Sequence, residues 1–134
     1  MRTPRPLKLK PPEPTEAEIQ AALIRGLQVR GWLVVRVNGG GFKTATGGFF
    51  RAYIVAGFCD ANGRPACSGF PDVLALKIAP DGSGIVARLF EVKKRGGARS
   101  AAQERFAEFA EARGVRVEVV QGWAAMELAV KAAG

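Results

Sequence analysis

The sequence predicts an α/β fold in which a mixed β-sheet is flanked by helices. Apolar runs of strand length alternate with segments of helical periodicity, and 134 residues are enough to enclose one hydrophobic core. One predicted helix joins two predicted strands, and such a crossover places the two strands parallel within one sheet. These observations together favour a single α/β domain.

Turn formers and apolar periodicity define the predicted elements. Thr15 and Glu18 have the spacing of a capping box, and Gly31 is typical of a helix end. In chain order we predict a helix at 15–31, a buried strand at 32–37, a short strand at 51–55, strands at 73–79 and 85–92, a helix at 101–113, a strand at 115–120 and a helix at 124–132. The five prolines of residues 1–14 predict a disordered basic tail, which leaves 15–134 as the folded domain.

Composition narrows the possible functions. The chain has no histidine, which excludes Ser-His-Asp triads, His-dependent zinc hydrolases and His-based nucleases. A net charge of +8 and a pI near 10.2 indicate a polyanionic partner such as nucleic acid, and are equally typical of a basic structural protein. No apolar run approaches the ~20 residues of a membrane span, and no apolar stretch follows the basic N-terminus as in a secretory signal. We therefore expect no membrane association, and a location in the cytoplasm of a bacterial or phage-infected bacterial cell.

Two acidic residues are predicted to meet at one end of a β-hairpin. Asp72 directly precedes one strand of this hairpin, and Glu91 lies near the end of the returning strand. Side chains alternate along a strand, so Lys93 shares a face with Glu91. Hard cations such as Mg²⁺ require oxygen ligands of this kind, and the backbone carbonyl of Val92 offers a third oxygen. The pattern favours a metal site in which Lys93 orients or activates an attacking water. The alternative is that Asp72 caps a turn and Glu91 is a surface charge.

Four motifs resemble those of the PD-(D/E)XK nuclease superfamily, in the same order and on the same elements. In this chain they are Glu18 (or its neighbour Glu16), Gly69-Phe70-Pro71-Asp72, Glu91-Val92-Lys93 and Gln103. More narrowly, residues 15–122 resemble the VRR-NUC family, the virus-type replication-repair nucleases. Each motif is common by itself, and their occurrence in order carries the resemblance.

The resemblance implies a restriction-endonuclease-like core of order αβββαβ and structure-selective cleavage of DNA with Mg²⁺ or Mn²⁺. It also implies a homodimer similar to Holliday-junction resolvases, since symmetric cuts require two symmetry-related sites. Glu18 would then be a further metal ligand and Gln103 a catalytic residue, although both also fit capping boxes. A flap, nick or exonuclease and a non-catalytic DNA-binding module on the same fold are the alternatives.

Basic residues near the motifs are predicted to contact DNA. They are Lys94, Arg95 and Arg99 after the second hairpin strand, and Arg36, Lys43 and Arg51 around a glycine-rich segment. The N-terminus of the helix that follows Arg99 would add a positive dipole beside the first group. The alternative at both places is an ordinary solvated loop.

Overall fold

The computed structural model describes residues 2–4, 12–37, 42–43, 45–47, 49–50 and 55–134. Its elements are helix α1 (Glu16–Val29), strands β1 (Leu33–Arg36), β2 (Phe42–Lys43), β3 (Phe49–Phe50), β4 (Val73–Ile78) and β5 (Ile85–Lys93), helix α2 (Ala101–Glu111), strand β6 (Val117–Gln121) and helix α3 (Gly122–Ala132). This order confirms the predicted α/β class. Most of the predicted tail at 1–14 and of the predicted strand at 51–55 lies outside the described residues. No helix within the described residues is long and apolar enough to cross a membrane.

Four strands form a mixed sheet in the order β1-β4-β5-β6. β4 pairs antiparallel with β1 on one side and with β5 on the other. β5 and β6 are parallel, and α2 makes the crossover between them. The predicted hairpin and the predicted crossover are therefore both confirmed. β2 and β3 pair with each other in a separate two-stranded ladder.

The two faces of the sheet bury different cores. One face packs against α1 and α3, in a core that includes Ile19, Leu23, Val73, Phe90, Val120 and Met126. Part of the other face packs against α2, in a core that includes Phe58, Leu89, Phe106, Ala110 and Val117. Because side chains alternate along a strand, neighbouring residues of β5 belong to different cores. Each fully buried large apolar side chain contributes on the order of 1.5–3 kcal/mol to folding.

Two predictions about burial are wrong. The strand predicted as buried at 32–37 is an edge strand, in which Leu33 is 61% exposed. It is exposed because α2 packs on the β5–β6 side of that face, away from β1. From the sequence we also expect Leu128, with Met126 and Val130, near the apolar side of the last helix, but Leu128 is 68% exposed. It lies two residues from both Met126 and Val130, and therefore on the opposite side of the helix from those buried residues.

Thr15 and Ser100 are the N-caps of α1 and α2, as predicted, and of these two the Ser100 pattern forms a complete capping box. Thr15 Oγ1 accepts a hydrogen bond from the backbone N–H of Glu18 at 3.2 Å, and donates one to Glu18 Oε1 at 3.2 Å. At α2, Ser100 Oγ accepts from the Gln103 N–H at 3.2 Å, and Gln103 Oε1 accepts from the Ser100 N–H at 2.9 Å. This reciprocal pair is a capping box, which fixes where α2 begins.

Gly69 brings the loop before β4 into close contact with the first turn of α2. Its φ is +83°, in the left-handed region that glycine tolerates best. A Cβ at this position would clash with the carbonyl of Ala102 and would lie 2.8 Å from the backbone nitrogen of Gln103. Glycine is therefore required here for two reasons, and it allows the segment that carries Asp72 to lie against the start of α2.

We predict that Gly69→Ala destabilises the domain more than Gly63→Ala does. Gly63 also has a positive φ, but a Cβ there would meet no atom within 4 Å. Its substitution should cost about 1–2 kcal/mol from backbone strain alone. Gly69→Ala should cost about 1–3 kcal/mol more, because it adds overpacking to the strain. Urea denaturation of both variants measures the difference, and equal losses would show that the contact with α2 is not needed.

Candidate active site

Asp72 lies at the end of the hairpin, opposite Glu91. Val73 pairs with Phe90 in the antiparallel ladder, and continuing that register by one residue sets Asp72 across from Glu91. The backbone carbonyl of Asp72 accepts a hydrogen bond from the Val37 N–H at 2.8 Å. Its side-chain Oδ2 accepts one from the Val92 N–H at 2.9 Å. Hydrogen bonds to the segments on both sides, Val37 after β1 and Val92 in β5, therefore hold Asp72 in position.

Glu91 is a fully buried carboxylate within the sheet. Its side chain is 0% exposed, and its Oε2 accepts a hydrogen bond from Arg99 Nε at 3.0 Å. Its other oxygen, Oε1, is buried and has no hydrogen-bond partner among the described residues. Buried polar atoms are nearly always hydrogen-bonded, because leaving one unsatisfied costs about 1–3 kcal/mol, and more for a charged group. A ligand that binds this oxygen would remove that cost.

Burial raises the pKa of Glu91, since it disfavours the charged form of the carboxyl. The Arg99 guanidinium opposes this rise through charge attraction and its hydrogen bond, and Lys93 opposes it more weakly. The negative charge of Asp72 adds to the rise. A cation between the two carboxyl groups would reverse these unfavourable effects, because it stabilises the ionised form of both.

The oxygens at this end of the hairpin fit a hard divalent cation. Glu91 offers Oε1, and Asp72 offers the lone pairs that its bond to the Val92 N–H does not use. The N–H and C=O of a strand residue point to the same side, so the Val92 carbonyl is directed toward Asp72 as well. The described part of the chain contains no cluster of three or more Asp, Glu, His or Cys residues suited to a metal. Asp72 and Glu91 could together offer two carboxylates, a number typical of Mg²⁺ sites, in which water and substrate oxygens complete the shell.

Lys93 follows Glu91 on β5, and Gln103 lies beside the loop that leads to Asp72. Lys93 is half-buried and, two residues after Glu91, lies on the same face of β5. Gln103 is in the first turn of α2, against Gly69 and so beside the segment that leads to Asp72. Its Oε1 serves the capping box, and its side-chain NH₂ group carries two donors that the box does not use.

Among the acidic residues of α1, Glu16 lies nearer to the site than Glu18. Glu18 is exposed, and its carboxylate interacts with Thr15 at the start of the helix. Glu16 Oε1 instead accepts a hydrogen bond from the Lys94 N–H at 3.4 Å, directly after β5. Helical geometry separates these two residues by about 200° around the axis, so only one of them can face the sheet at this point.

The predicted DNA-contacting residues fall into two groups. Lys94, Arg95 and Arg36 are exposed. The side chain of Arg95 is 84% exposed, and its guanidinium lies 3.8 Å from Glu13 Oε1. Arg99 points into the protein and is only 24% exposed. The structure describes the backbone of Lys43, which is part of β2, but not its side chain. Arg51 lies outside the described residues.

The contact between Arg99 and Glu91 is the feature that sequence reasoning missed. All basic residues after β5 looked alike in the sequence, and each was assigned to DNA. The available signal was the acidic residue within a buried strand, because a buried carboxylate requires a cationic or hydrogen-bonding partner nearby. Nothing in the local sequence indicates which basic residue provides it.

The four-stranded mixed sheet with its three helices and paired carboxylates defines a restriction-endonuclease-like α/β domain. The family model described as the VRR-NUC domain matches residues 15–124. The chain therefore belongs to the VRR-NUC family of nuclease domains, and all the motifs discussed above lie within the matched range. This confirms the resemblance seen in the sequence.

A solved structure described as a VRR_NUC domain is similar to this chain. It is 20% identical in sequence, with a TM-score of 0.53, and the similarity covers 88% of this chain and 97% of that chain. At this identity the comparison supports the fold. No curated protein matches the sequence.

We predict that Glu91→Gln changes the pH dependence of stability in the absence of divalent metal. The raised pKa of Glu91 means that its contribution to stability is fully present below the ordinary value of 4.5. That contribution is lost as the pH rises through the raised pKa of the folded state. Glutamine does not titrate, so the melting temperature of the wild type should fall relative to that of the variant as the pH rises above the ordinary value of 4.5.

Thermal melts in EDTA across this pH range measure the difference. Glu108→Gln, an exposed substitution on α2, is the matched control and should track the wild type much more closely. A wild type that gains stability over Glu91→Gln as the pH rises would contradict the prediction. It would mean that the attraction of Arg99 outweighs the cost of burial.

Proposed function

We propose that this protein is a metal-dependent DNA endonuclease that recognises branched DNA and acts as a homodimer. The observation that carries the proposal is the buried Oε1 of Glu91, beside Asp72, which has no hydrogen-bond partner within the described part of the chain. A purely structural carboxylate would gain from a hydrogen bond to each oxygen. A carboxylate oxygen without a hydrogen bond, such as Glu91 Oε1, is instead suited to an exchangeable ligand such as Mg²⁺ or Mn²⁺.

Asp72, Glu91 and the Val92 carbonyl would hold the cation. We leave Glu18 out of this set because its carboxylate accepts a hydrogen bond from the Thr15 hydroxyl at the start of α1. When bound, the cation polarises the scissile phosphate and lowers the pKa of water. Lys93 projects from the same face of β5 as Glu91 and supplies positive charge where the phosphate gains negative charge. It also orients the attacking water, a role typically worth ~10²–10⁴ in rate. Gln103 donates from its side-chain NH₂ group to the phosphate or the water.

Exposed positive charge beside the site supports binding of the DNA backbone. Lys94 and Arg95 directly follow β5 and are exposed to solvent. Arg36 is exposed at the end of β1, next to Val37, which bonds to the backbone of Asp72. These residues would contact phosphates, which position the duplex and make binding dependent on salt. The same role remains our proposal for Lys43 and Arg51.

An uncovered apolar area of the sheet supports the homodimer. We call it the sheet patch; it consists of Leu33, Val35, Ile78 and Ile85. These side chains project from the face that α2 covers only in part, and the strand register makes them neighbours. Contiguous exposed apolar patches of this kind mark interaction surfaces in otherwise soluble domains. A two-fold pairing through this patch would join two sites for symmetric cuts.

A cleavage assay tests the function and selects among its alternatives. Labelled four-way junction, flap, splayed-arm and duplex DNA are incubated with Mg²⁺, Mn²⁺ or EDTA. Paired symmetric nicks in the junction that disappear in EDTA are the expected result. Metal-dependent cuts in other substrates would support the nuclease activity and assign it a different substrate. Binding without cleavage of any substrate would indicate a non-catalytic DNA-binding module.

We predict that Asp72→Ala and Glu91→Gln lose cleavage but keep DNA binding. Each removes a metal ligand and leaves the exposed basic residues intact, so cleavage should fall on the order of 10³-fold or more. Fluorescence anisotropy in EDTA should give a junction affinity similar to that of the wild type. Glu108→Gln is the control for loss of one negative charge. Cleavage at the wild-type rate by either site variant would refute the ligand assignment.

We predict that lysine in the sheet patch disrupts the homodimer. In Leu33→Lys/Ile85→Lys, charge replaces two apolar side chains that the second copy would bury, so the protein should become monomeric. Leu128→Lys is a matched control, because Leu128 is 68% exposed but lies on α3, outside the patch. Light scattering coupled to gel filtration measures the mass of each. A monomeric wild type, or a double variant that remains dimeric, would exclude this interface.

A further inference from the structure

Arg99 differs from the other basic residues of the loop between β5 and α2. Its Nε donates to Glu91 Oε2 at 3.0 Å, and its NH2 group donates to the backbone carbonyl of Val117 at 2.9 Å. It is 24% exposed, whereas Arg95 in the same loop is 84% exposed. Arg99 therefore bridges β5 and β6 from within the protein, and its guanidinium is already engaged.

The two bonds fix the orientation of the guanidinium and, through it, of the carboxylate. Val117 begins β6, and its carbonyl belongs to the backbone of the sheet, so it forms a rigid anchor. The guanidinium is planar and holds its donors in a fixed fork, so anchoring one nitrogen sets the direction of the others. Glu91 Oε2 is thereby occupied, and Oε1 remains as the oxygen of Glu91 that can take a ligand.

The other charged groups near Glu91 do not share this geometry. Lys93 and Asp72 influence Glu91 through their charges, and neither forms a hydrogen bond to its carboxylate in the described structure. The Glu91 side chain is 0% exposed, so the packing around it limits its rotation. Arg99 is therefore the group whose contact decides which oxygen of Glu91 is available.

We propose that Arg99 is a positioning residue that binds Glu91 Oε2 so that Oε1 is presented to the divalent cation. Arg99 does not contact DNA phosphate, in contrast to the role that the sequence led us to expect. This inference rests on the proposed metal site. It predicts that substitution of Arg99 weakens metal binding and leaves DNA binding in EDTA unchanged, whereas substitution of Arg95 does the opposite.

The test compares Arg99→Lys and Arg99→Met with Arg95→Met in the full-length chain. Calorimetric titration with Mn²⁺ in the absence of DNA measures metal affinity, and anisotropy in EDTA measures binding to a four-way junction. Loss of such an orienting group typically costs 10–100-fold in metal affinity, so both Arg99 variants should bind Mn²⁺ about 10–100-fold more weakly. Arg95→Met should keep the Mn²⁺ affinity, weaken junction binding and reduce its salt slope by about 1.

Arg99→Lys separates positioning from charge neutralisation. Lysine keeps the positive charge and most of the aliphatic stem, so the variant should fold, which thermal melts in EDTA will check. It cannot reach both Glu91 and Val117 with a planar fork. Wild-type Mn²⁺ affinity in Arg99→Lys would therefore overturn the proposal, because charge alone would suffice.

A second readout comes from cleavage as a function of Mn²⁺ concentration. Weakened positioning should raise the Mn²⁺ concentration needed for half-maximal rate, and saturating Mn²⁺ should restore most of the rate. A loss of rate that saturating metal does not restore would place Arg99 in the chemical step and contradict a positioning role. If the wild type binds no Mn²⁺, the proposed function fails. If the wild type and both Arg99 variants bind it equally, only this inference fails.

Discussion

The site depends on one interaction, the contact of the buried Glu91 carboxylate with Arg99. A fully buried carboxylate is unfavourable unless a partner compensates for its lost hydration. Arg99 provides that compensation for one oxygen only. The molecule thus keeps a carboxyl group with one unsatisfied oxygen in the interior of its sheet. This arrangement is costly for folding and suits the cation site that we propose. Regions of this kind, where stability is lower than the fold would permit, are typical of functional sites.

The rest of the fold holds this group in place. The β4–β5 hairpin brings Asp72 to Glu91, and the parallel pairing of β5 with β6 supplies the Val117 carbonyl that anchors Arg99. The crossover through α2 requires a loop between β5 and the helix, and this loop carries Arg99 back over the sheet. Gly69 then lets the segment before Asp72 lie against the first turn of α2. Sheet, loop and helix therefore meet at a single end of the domain.

Local rules explain why much of this could be predicted from the sequence. Alternation along a strand and a short turn are sufficient to bring Asp72 near Glu91 and to put Lys93 on the same face. Spacing also located both helix caps. The exposure of Leu33, by contrast, depends on which part of the sheet α2 covers, and no local pattern encodes that. The inward direction of Arg99 and the position of Glu16 beside Lys94 depend on loop conformation and helix rotation, which arise only when the elements pack together.

We propose that Glu91 Oε1 and Asp72 hold a divalent cation. The most direct measurement is a crystal structure of the protein grown with Mn²⁺, with diffraction data recorded so that manganese is identified by its anomalous signal. We expect one strong peak between the two carboxylates, about 2.0–2.3 Å from Glu91 Oε1. Occupation of that position by a hydrogen-bonding side chain or water, with manganese absent or bound elsewhere, would contradict it.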